Sequence, residues 1–384
     1  MSLPARADVV VVGAGVIGAS IAWHLATRGV KAVVLEREKA PGLGSTGQCA
    51  GGVRQQFSTP VNVAISRLSI DAFARMKDEL AYEGGDLYWP VGYLFCIADP
   101  ARWAAFQADA AMQRGLGVTV ETLSPADVAR RFPLVRHEDL QGATFCGSDG
   151  LADPHGVTAA YYAAAKRLGA HFEFECAVTG VRVEGDKVRG VETPRGVIAA
   201  PVVVDAAGPH AAAVGAMAGV EVPVVPVRRQ IFTTQPVDWL PPDFPMVVDM
   251  ASGVYMHRES GGLLLGLADR DEPSSTNTNI DFDFRDRVFL AALERLPRLE
   301  DAEYRAGWAG LYEVTPDHNA ILGPSGTDGF LLANGFSGHG FMHAPAVGLL
   351  LADWIVDGRP RLDVSALSLE RFAGRPLAAE ANVI

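Results

Sequence analysis

The chain has 384 residues, 49% hydrophobic and 20% charged, with 41 Gly and 24 Pro, the balance of an ordinary water-soluble globular protein large enough for two domains. Acidic residues outnumber basic ones 45 to 33, for a formal charge of −12, and no dense Lys/Arg tract is present, so neither nucleic acid nor an anionic membrane is an expected partner. The four cysteines (Cys49, Cys96, Cys146, Cys176) lie far apart without C-x-x-C or paired-histidine spacing, which predicts no metal site, no disulfide framework and a reducing compartment.

The first thirty-six residues carry the strongest signal. Val9-Val10-Val11-Val12 is a β-branched run suited to a buried parallel strand. Gly13-Ala14-Gly15-Val16-Ile17-Gly18 follows at once, residues 19–28 read as a helix closed by Gly29, and Val33-Val34-Leu35 is the next strand with Glu36 at its carboxyl end. Gly13 permits the tight turn, Gly15 lets backbone N–H groups approach a pyrophosphate, and Gly18 allows close helix–strand packing. The positive end of the helix then faces the phosphates, and Glu36, eighteen residues after Gly18, is placed to accept hydrogen bonds from a ribose diol. An ADP-containing dinucleotide is the expected ligand. The short run before this strand leaves no room for a signal or transit peptide.

Further along, a glycine-rich segment with small hydroxyl residues (Gly42-Leu43-Gly44-Ser45-Thr46-Gly47, then Gly51-Gly52-Val53-Arg54) replaces a second compact βαβ unit. Residues 61–80 have helical spacing, residues 88–97 read as strands, and residues 100–114 and the stretch opened by Ser124-Pro125 read as helices. Asp153-Pro154 introduces a long helix through Leu168, a strand follows at 169–174, and Glu184-Gly185-Asp186 marks a hairpin between 178–183 and 187–191. Residues 197–204 lead into Ala206-Ala207-Gly208, with Val202-Val203-Val204-Asp205 a buried strand that ends in these small residues. From residue 222 the pattern is β-rich (222–234, 246–249, 253–257, 262–267), with a loop at 236–245 and a polar excursion at 271–283. A helix at 284–296 and strands at 303–310, 321–322 and 330–333 precede Gly335-Phe336-Ser337-Gly338-His339-Gly340 and a last helix. Its apolar stretch at 344–356 is too short to span a bilayer and is broken by Asp353, so no integral membrane segment is expected and the protein is read as cytoplasmic.

Three glycine clusters, each tied to a strand end or helix start, imply an extended cofactor, and FAD fits that footprint better than NAD. The alternation of elements predicts an α/β fold: a Rossmann-type FAD-binding domain at 1–84, 145–218 and 305–384, interleaved with a mainly antiparallel β substrate domain at 85–144 and 219–304.

With Gly51-Gly52-Val53-Arg54-Gln55-Gln56-Phe57, Ala206-Ala207-Gly208-Pro209, Trp308-Ala309-Gly310-Leu311-Tyr312-Glu313-Val314-Thr315-Pro316-Asp317 and the Gly335–Gly340 cluster joined to the opening motif, the chain resembles the D-amino-acid-oxidase-type flavoproteins, in particular the sarcosine oxidase and proline dehydrogenase β-subunit branch. The resemblance implies FAD, oxidation of a C–N bond beside a carboxylate, and a site between the two domains. It assigns Gly13, Gly15, Val16, Ile17 and Gly18 to the pyrophosphate turn, Glu36 and Arg37 to the ribose, and Ser45 and Thr46 to the phosphates. Gly51 and Gly52 join the cofactor set, Val178 matches a position that meets the adenine, and Ala206, Ala207 and Gly208 match a turn packed on the cofactor. Gly310 and the run Gly338-His339-Gly340-Phe341-Met342 match the flavin-facing wall. Monomeric sarcosine oxidases tether the flavin through a cysteine that falls at Gly310, so here FAD should be non-covalent. Their carboxylate-binding lysine falls at Met342 and their oxygen-activating lysine near Leu264, which predicts a dehydrogenase rather than an efficient oxidase.

Arg54 is the candidate for the substrate carboxylate or the flavin edge, because a guanidinium binds carboxylates bidentately and keeps its charge when buried. Tyr255 and His257 share one face of a predicted strand, with Arg258 on the other, and His339 sits between glycines at a helix start; these complete the catalytic candidates. The expected reaction is hydride transfer from the carbon beside nitrogen of a small, preferably secondary, amino acid such as sarcosine or proline, with the amine entering neutral. Two alternatives stay open: oxidation of a 2-hydroxy acid, which needs a base such as His257 or His339, and a redox-quiet flavoprotein that serves as an assembly factor. The electron acceptor is open, as is a partner subunit or homo-oligomer.

Overall fold

The computed structural model describes residues 3–269, 271–374 and 376–383. Its first sheet runs in the order Ile321–Pro324, Phe330–Asn334, Val202–Asp205, Val9–Val12, Ala32–Leu35, His171–Glu173, parallel throughout except at Ile321–Pro324. Strand alternation explains its two buried faces. Val9, Val11 and Val34 point into a core shared with the helices Val16–Ala26, Pro154–Arg167 and Gly340–Asp357. Val10, Val12, Val33 and Leu35 point the other way, onto a three-stranded antiparallel layer of Gly180–Glu184, Lys187–Thr193 and Gly196–Ala199. This is the Rossmann-type arrangement that the opening motif predicts.

An eight-stranded sheet forms the second layer, in the order Tyr304–Val314, Val225–Thr234, Gly262–Leu267, Val254–Glu259, Met246–Asp249, Tyr93–Ile97, Gly142–Cys146, Val120–Leu123. All its neighbours are antiparallel except Met246–Asp249 beside Tyr93–Ile97. Period-two alternation again separates the faces: Leu94, Val247, Met256 and Leu265 pack under the helix Phe282–Arg295. Tyr93, Ile231, Met246, Tyr255 and Leu264 form a separate cluster on the opposite face. Tyr304–Val314 pairs with Val225–Thr234 from Val314 to Tyr304, so this sheet extends past residue 305, where the sequence places the return to the cofactor domain.

Among the short strands that escape the sequence pattern are Val120–Leu123, Gly142–Cys146 and Gly150–Ala152. The first is a sheet edge whose central Glu121 and Thr122 are exposed, and the other two open with glycine, so neither residue type nor alternation marks them. No helix among the described residues is long and apolar enough to cross a membrane.

Candidate active site

The dinucleotide end is built from backbone approach. Gly13 has φ +104°, and a Cβ there would lie 2.5 Å from the Ala206 carbonyl oxygen; one on Gly18 would lie 2.0 Å from the Gly13 oxygen. The opening glycine turn and the Ala206-Ala207-Gly208 turn therefore touch, and side chains are excluded where they meet. Glu36 sits where the motif requires it: Oε2 accepts from the Ala14 N–H at 2.7 Å and Oε1 from Glu38 at 2.9 Å, which fixes the carboxylate at the strand's carboxyl end. Val178 lies two residues beyond Cys176, whose N–H donates to the Glu36 carbonyl at 2.8 Å, so this segment runs beside Glu36. Arg37 is half exposed and paired with Glu38 at 3.3 Å. Among the residues tested, these fit the ADP half of FAD, with Gly13, Gly15 and Gly18 as the cradle.

From that end an open cleft leads between the two sheets. The helices Val16–Ala26 and Gly340–Asp357 both present their N-termini to it, through Val16 and Ile17 and through Gly340, Phe341 and Met342. Neither helix has an acidic residue in its first turn, so both positive helix ends face the cleft uncompensated. Thr46 Oγ1 accepts the Val16 N–H at 3.2 Å, and Ser45 Oγ donates to the Leu311 carbonyl at 2.6 Å. Trp308 Nε1 donates to the Gln48 carbonyl at 3.0 Å. The phosphate-side turn is thereby fastened to the strand that carries Gly310, and Ser45, Thr46, Gly51, Gly52, Gly310 and Gly338 all line the cleft.

The far wall carries groups without partners. Tyr93, Tyr255 and Tyr312 line it, burial pushes all three phenols up so that they stay protonated, and among the described residues none of their hydroxyls has a hydrogen-bond partner. Arg229 lines the same wall with its guanidinium 5.2 Å from the Tyr312 ring centre. It donates to the Arg228 carbonyl at 2.9 Å, its Nε has no acceptor, and no carboxylate among the described residues pairs with it. Ile231 and Met246 add an apolar surface. A cation with an unpaired donor thus stands beside three free phenols and an apolar wall, which are the kinds of group that carboxylates and hydrocarbon bodies pack against.

Arg54 reaches the cleft from below and is held differently. It is 1% exposed, stacks on Phe57 at 4.0 Å, and donates to the carbonyls of Gln56 and Asn382 and to His339 Nε2 at 3.2 Å. A guanidinium only donates, so His339 Nε2 accepts and the ring proton resides on Nδ1. Burial, with the Arg54 charge added, holds His339 well below the ordinary imidazole range, so it stays neutral. Glu313 is the carboxylate of the cleft wall; burial raises it to about 7, against the N–H of Gly335 that it accepts at 2.9 Å.

Of the catalytic candidates read from sequence, the cleft therefore gathers Arg54, Tyr255 and His339. His257 is not brought there. It shares Tyr255's face but lies farther along the strand, buried, with Nδ1 2.9 Å from the Arg258 carbonyl and Nε2 unpartnered. Arg229 and Glu313 were not singled out by sequence; a run such as Val227-Arg228-Arg229-Gln230 in a strand gave the alternation but no reason to choose the inward arginine. The structure also corrects one reading. A cysteine does come near Gly310: the Cβ of a residue there would lie 2.6 Å from Gln48 Cβ, and the adjacent Cys49 lines the cleft. Burial pushes the Cys49 thiol up to about 12, which keeps it protonated and a poor nucleophile. Acid precipitation should accordingly release all yellow colour into the supernatant; colour retained in the pellet would show a covalent bond, with Cys49 the first residue to examine.

The family described as DAO, FAD dependent oxidoreductase, matches residues 8–354. The chain belongs to that family. As a member it is an FAD-dependent flavoprotein. Mouse mitochondrial sarcosine dehydrogenase (Mus musculus) is 32% identical over 96% of this chain and 42% of its own length, so the chain spans less than half of that relative. FAD-dependent oxidoreductase domain-containing protein 1 of Xenopus laevis is 30% identical over 99% of the chain and 85% of its length. Among solved structures, L-proline dehydrogenase from P. horikoshii superposes with a TM-score of 0.90 at 31% identity, covering 97% of this flavoprotein and 99% of that chain. Glycine oxidase from Geobacillus kaustophilus gives 0.86 at 26% identity, covering 95% and 99%.

Proposed function

We propose that this flavoprotein oxidises the C–N bond of a small amino acid, preferably a secondary amine such as sarcosine or proline, with hydride transfer to flavin N5. The observation that carries the reading is Arg229, whose Nε has no acceptor, together with the unbonded hydroxyls of Tyr255 and Tyr312 beside the apolar wall of Ile231 and Met246. Relatives with names such as sarcosine dehydrogenase and L-proline dehydrogenase support the substrate class. Bound FAD supplies the hydride acceptor; the chain's own residues orient the substrate against it. Arg229 takes the carboxylate, Tyr255 and Tyr312 donate to its oxygens, and the apolar wall packs the carbon skeleton. Arg54, with three acceptors already fixing it, serves the flavin edge as a rigid positive charge beside the positive end of the last helix. The amine enters neutral, so no base is required.

A 2-hydroxy acid would need a base for its hydroxyl proton, and the histidines offered by sequence do not serve. His339 Nε2 is occupied by Arg54, and His257 is outside the cleft. A redox-quiet scaffold has no use for an unpaired guanidinium in a cofactor cleft.

Oxygen reacts with reduced flavin by a first electron transfer that creates superoxide, which a free cation nearby stabilises. Leu264, near which the resemblance puts the oxygen-activating lysine of the monomeric oxidases, belongs to the apolar cluster of the cleft face. Turnover of graded amino acids and hydroxy acids, once in air and once with an artificial dye, tests the reading. Fast turnover of small secondary amino acids with dye and slow turnover in air is expected; activity confined to hydroxy acids would defeat the proposal, and equal rates in air would defeat its dehydrogenase part.

A further inference from the structure

Arg54 is a fully buried cation that touches no carboxylate among the described residues. Its charge is supported instead by carbonyl oxygens, and one comes from 328 positions along the chain: Nη2 donates to the Asn382 carbonyl at 2.5 Å. That carbonyl belongs to a segment, residues 376–383, without helix or strand of its own. An irregular segment usually runs over the surface. Residues 376–379 and 381 are exposed, but Glu380 is 1% exposed and Asn382 2%.

Glu380 anchors the segment. Its Oε1 accepts from Ser58 N–H at 2.8 Å, Ser58 Oγ at 2.7 Å and Asn382 N–H at 3.0 Å. Its Oε2 accepts from Thr59 N–H at 3.1 Å, Thr59 Oγ1 at 2.9 Å and Asn62 Nδ2 at 3.1 Å. All of these donors except Asn382 lie at the start of the helix Pro60–Glu79, whose first turn holds no acid, so Glu380 places a negative charge there and ties down the two residues that enter the helix. Burial alone would raise its carboxyl, but the Ser58 hydrogen bonds and the Arg54 charge outweigh it and hold Glu380 below the ordinary range, ionised. On its other side the Glu380 N–H donates to the Asp317 carbonyl at 3.0 Å, and Asn319 Nδ2 to the Ala378 carbonyl at 2.9 Å. The segment thus joins the two loops that feed the cleft, one carrying Arg54 and the other following Tyr312 and Glu313.

We propose that residues 376–383 form a strap that belongs to the active site, and that Glu380 is a positioning residue which, through the Asn382 carbonyl, fixes the Arg54 guanidinium at the flavin edge. The proposal rests on the reading of Arg54 given above. Without the Glu380 carboxylate, six donors lose their acceptor and the strap leaves Arg54, whose Nη2 keeps only His339. A mobile cation stabilises the negative charge of a reduced flavin less than a fixed one.

The test is a double-mutant cycle on the holoenzyme, read by the midpoint potential of bound FAD and by kcat/KM. Glu380→Gln keeps the volume but removes the charge and turns a donor toward donors. It should disfavour reduced FAD about tenfold, ~30 mV for a two-electron couple, with a similar loss in efficiency. In an Arg54→Met background the same substitution should add almost nothing. A shift of equal size in both backgrounds, or none in the wild type, overturns the strap and leaves the reading of Arg54 standing. If Arg54→Met itself changes neither potential nor efficiency, that reading fails and the strap's role with it. Should Glu380→Gln fail to hold FAD, Ser58→Ala, which removes one donor to Glu380 and the acceptor of the Ala381 N–H at 2.8 Å, should shift the potential the same way by less; no shift there also overturns the proposal.

Discussion

Arg229→Met should lower kcat/KM for the best amino-acid substrate by about thirtyfold or more, because removing one partner of a desolvated charge pair costs ~2–5 kcal/mol. The loss should fall mainly on KM. Arg229 holds the substrate's carboxylate in ground state and transition state alike in this account, and uniform binding lost raises KM while leaving kcat. Methionine keeps the aliphatic stem beside Tyr312, so FAD content should not change. Arg229→Lys should recover only part of the affinity, since an ammonium cannot present the guanidinium's fork. Binding of an unreactive carboxylate, followed by the perturbation of the flavin spectrum, gives the same answer without turnover. Unchanged KM and unchanged inhibitor affinity would remove Arg229 from the site.

Arg54→Ala should also cost about thirtyfold or more in efficiency, but with a different signature. Arg54 acts on the charge that develops during the reaction, so kcat should fall with kcat/KM while KM moves little. The substitution also leaves the carbonyls of Gln56 and Asn382 without their donor and empties the space over Phe57, so thermal stability should drop. Arg54→Lys, which keeps the charge, should restore more of kcat than of stability. Freed of the Arg54 donor and of its charge, His339 should titrate closer to the ordinary imidazole range in the alanine variant, since Arg54 is one cause of its depression after burial. A variant with wild-type kcat and KM would place Arg54 in the structural core alone.

Arg54 and Arg229 show how far a sequence can be read. Arg54 was visible because it follows a glycine pair in a motif, and motifs mark places where backbone must approach a ligand. Its burial and its tie to Asn382 were not visible, since nothing local announces a contact across 328 positions. Arg229 was overlooked because Arg228 and Arg229 are chemically equivalent on paper. Sheet alternation separates them: Arg228 turns to Glu272 at 3.0 Å, and Arg229 turns to the cleft. His257 shows the converse limit. Alternation puts it on the face of Tyr255, but position along the strand decides what that face meets, and two residues beyond Tyr255 the side chain is buried outside the cleft. The Rossmann elements were legible because their burial needs β-branched runs and their ligand needs glycine. The edge strand Val120–Leu123 needs neither.

The central claim is that this flavoprotein accepts a hydride from carbon bound to nitrogen. Anaerobic mixing of the yellow holoenzyme with substrate, without any electron acceptor, tests it in a single step. A small secondary amino acid should bleach the flavin, more slowly when the hydrogen on the carbon beside nitrogen is replaced by deuterium. Bleaching by 2-hydroxy acids alone, or by none of the amino and hydroxy acids offered, would contradict it.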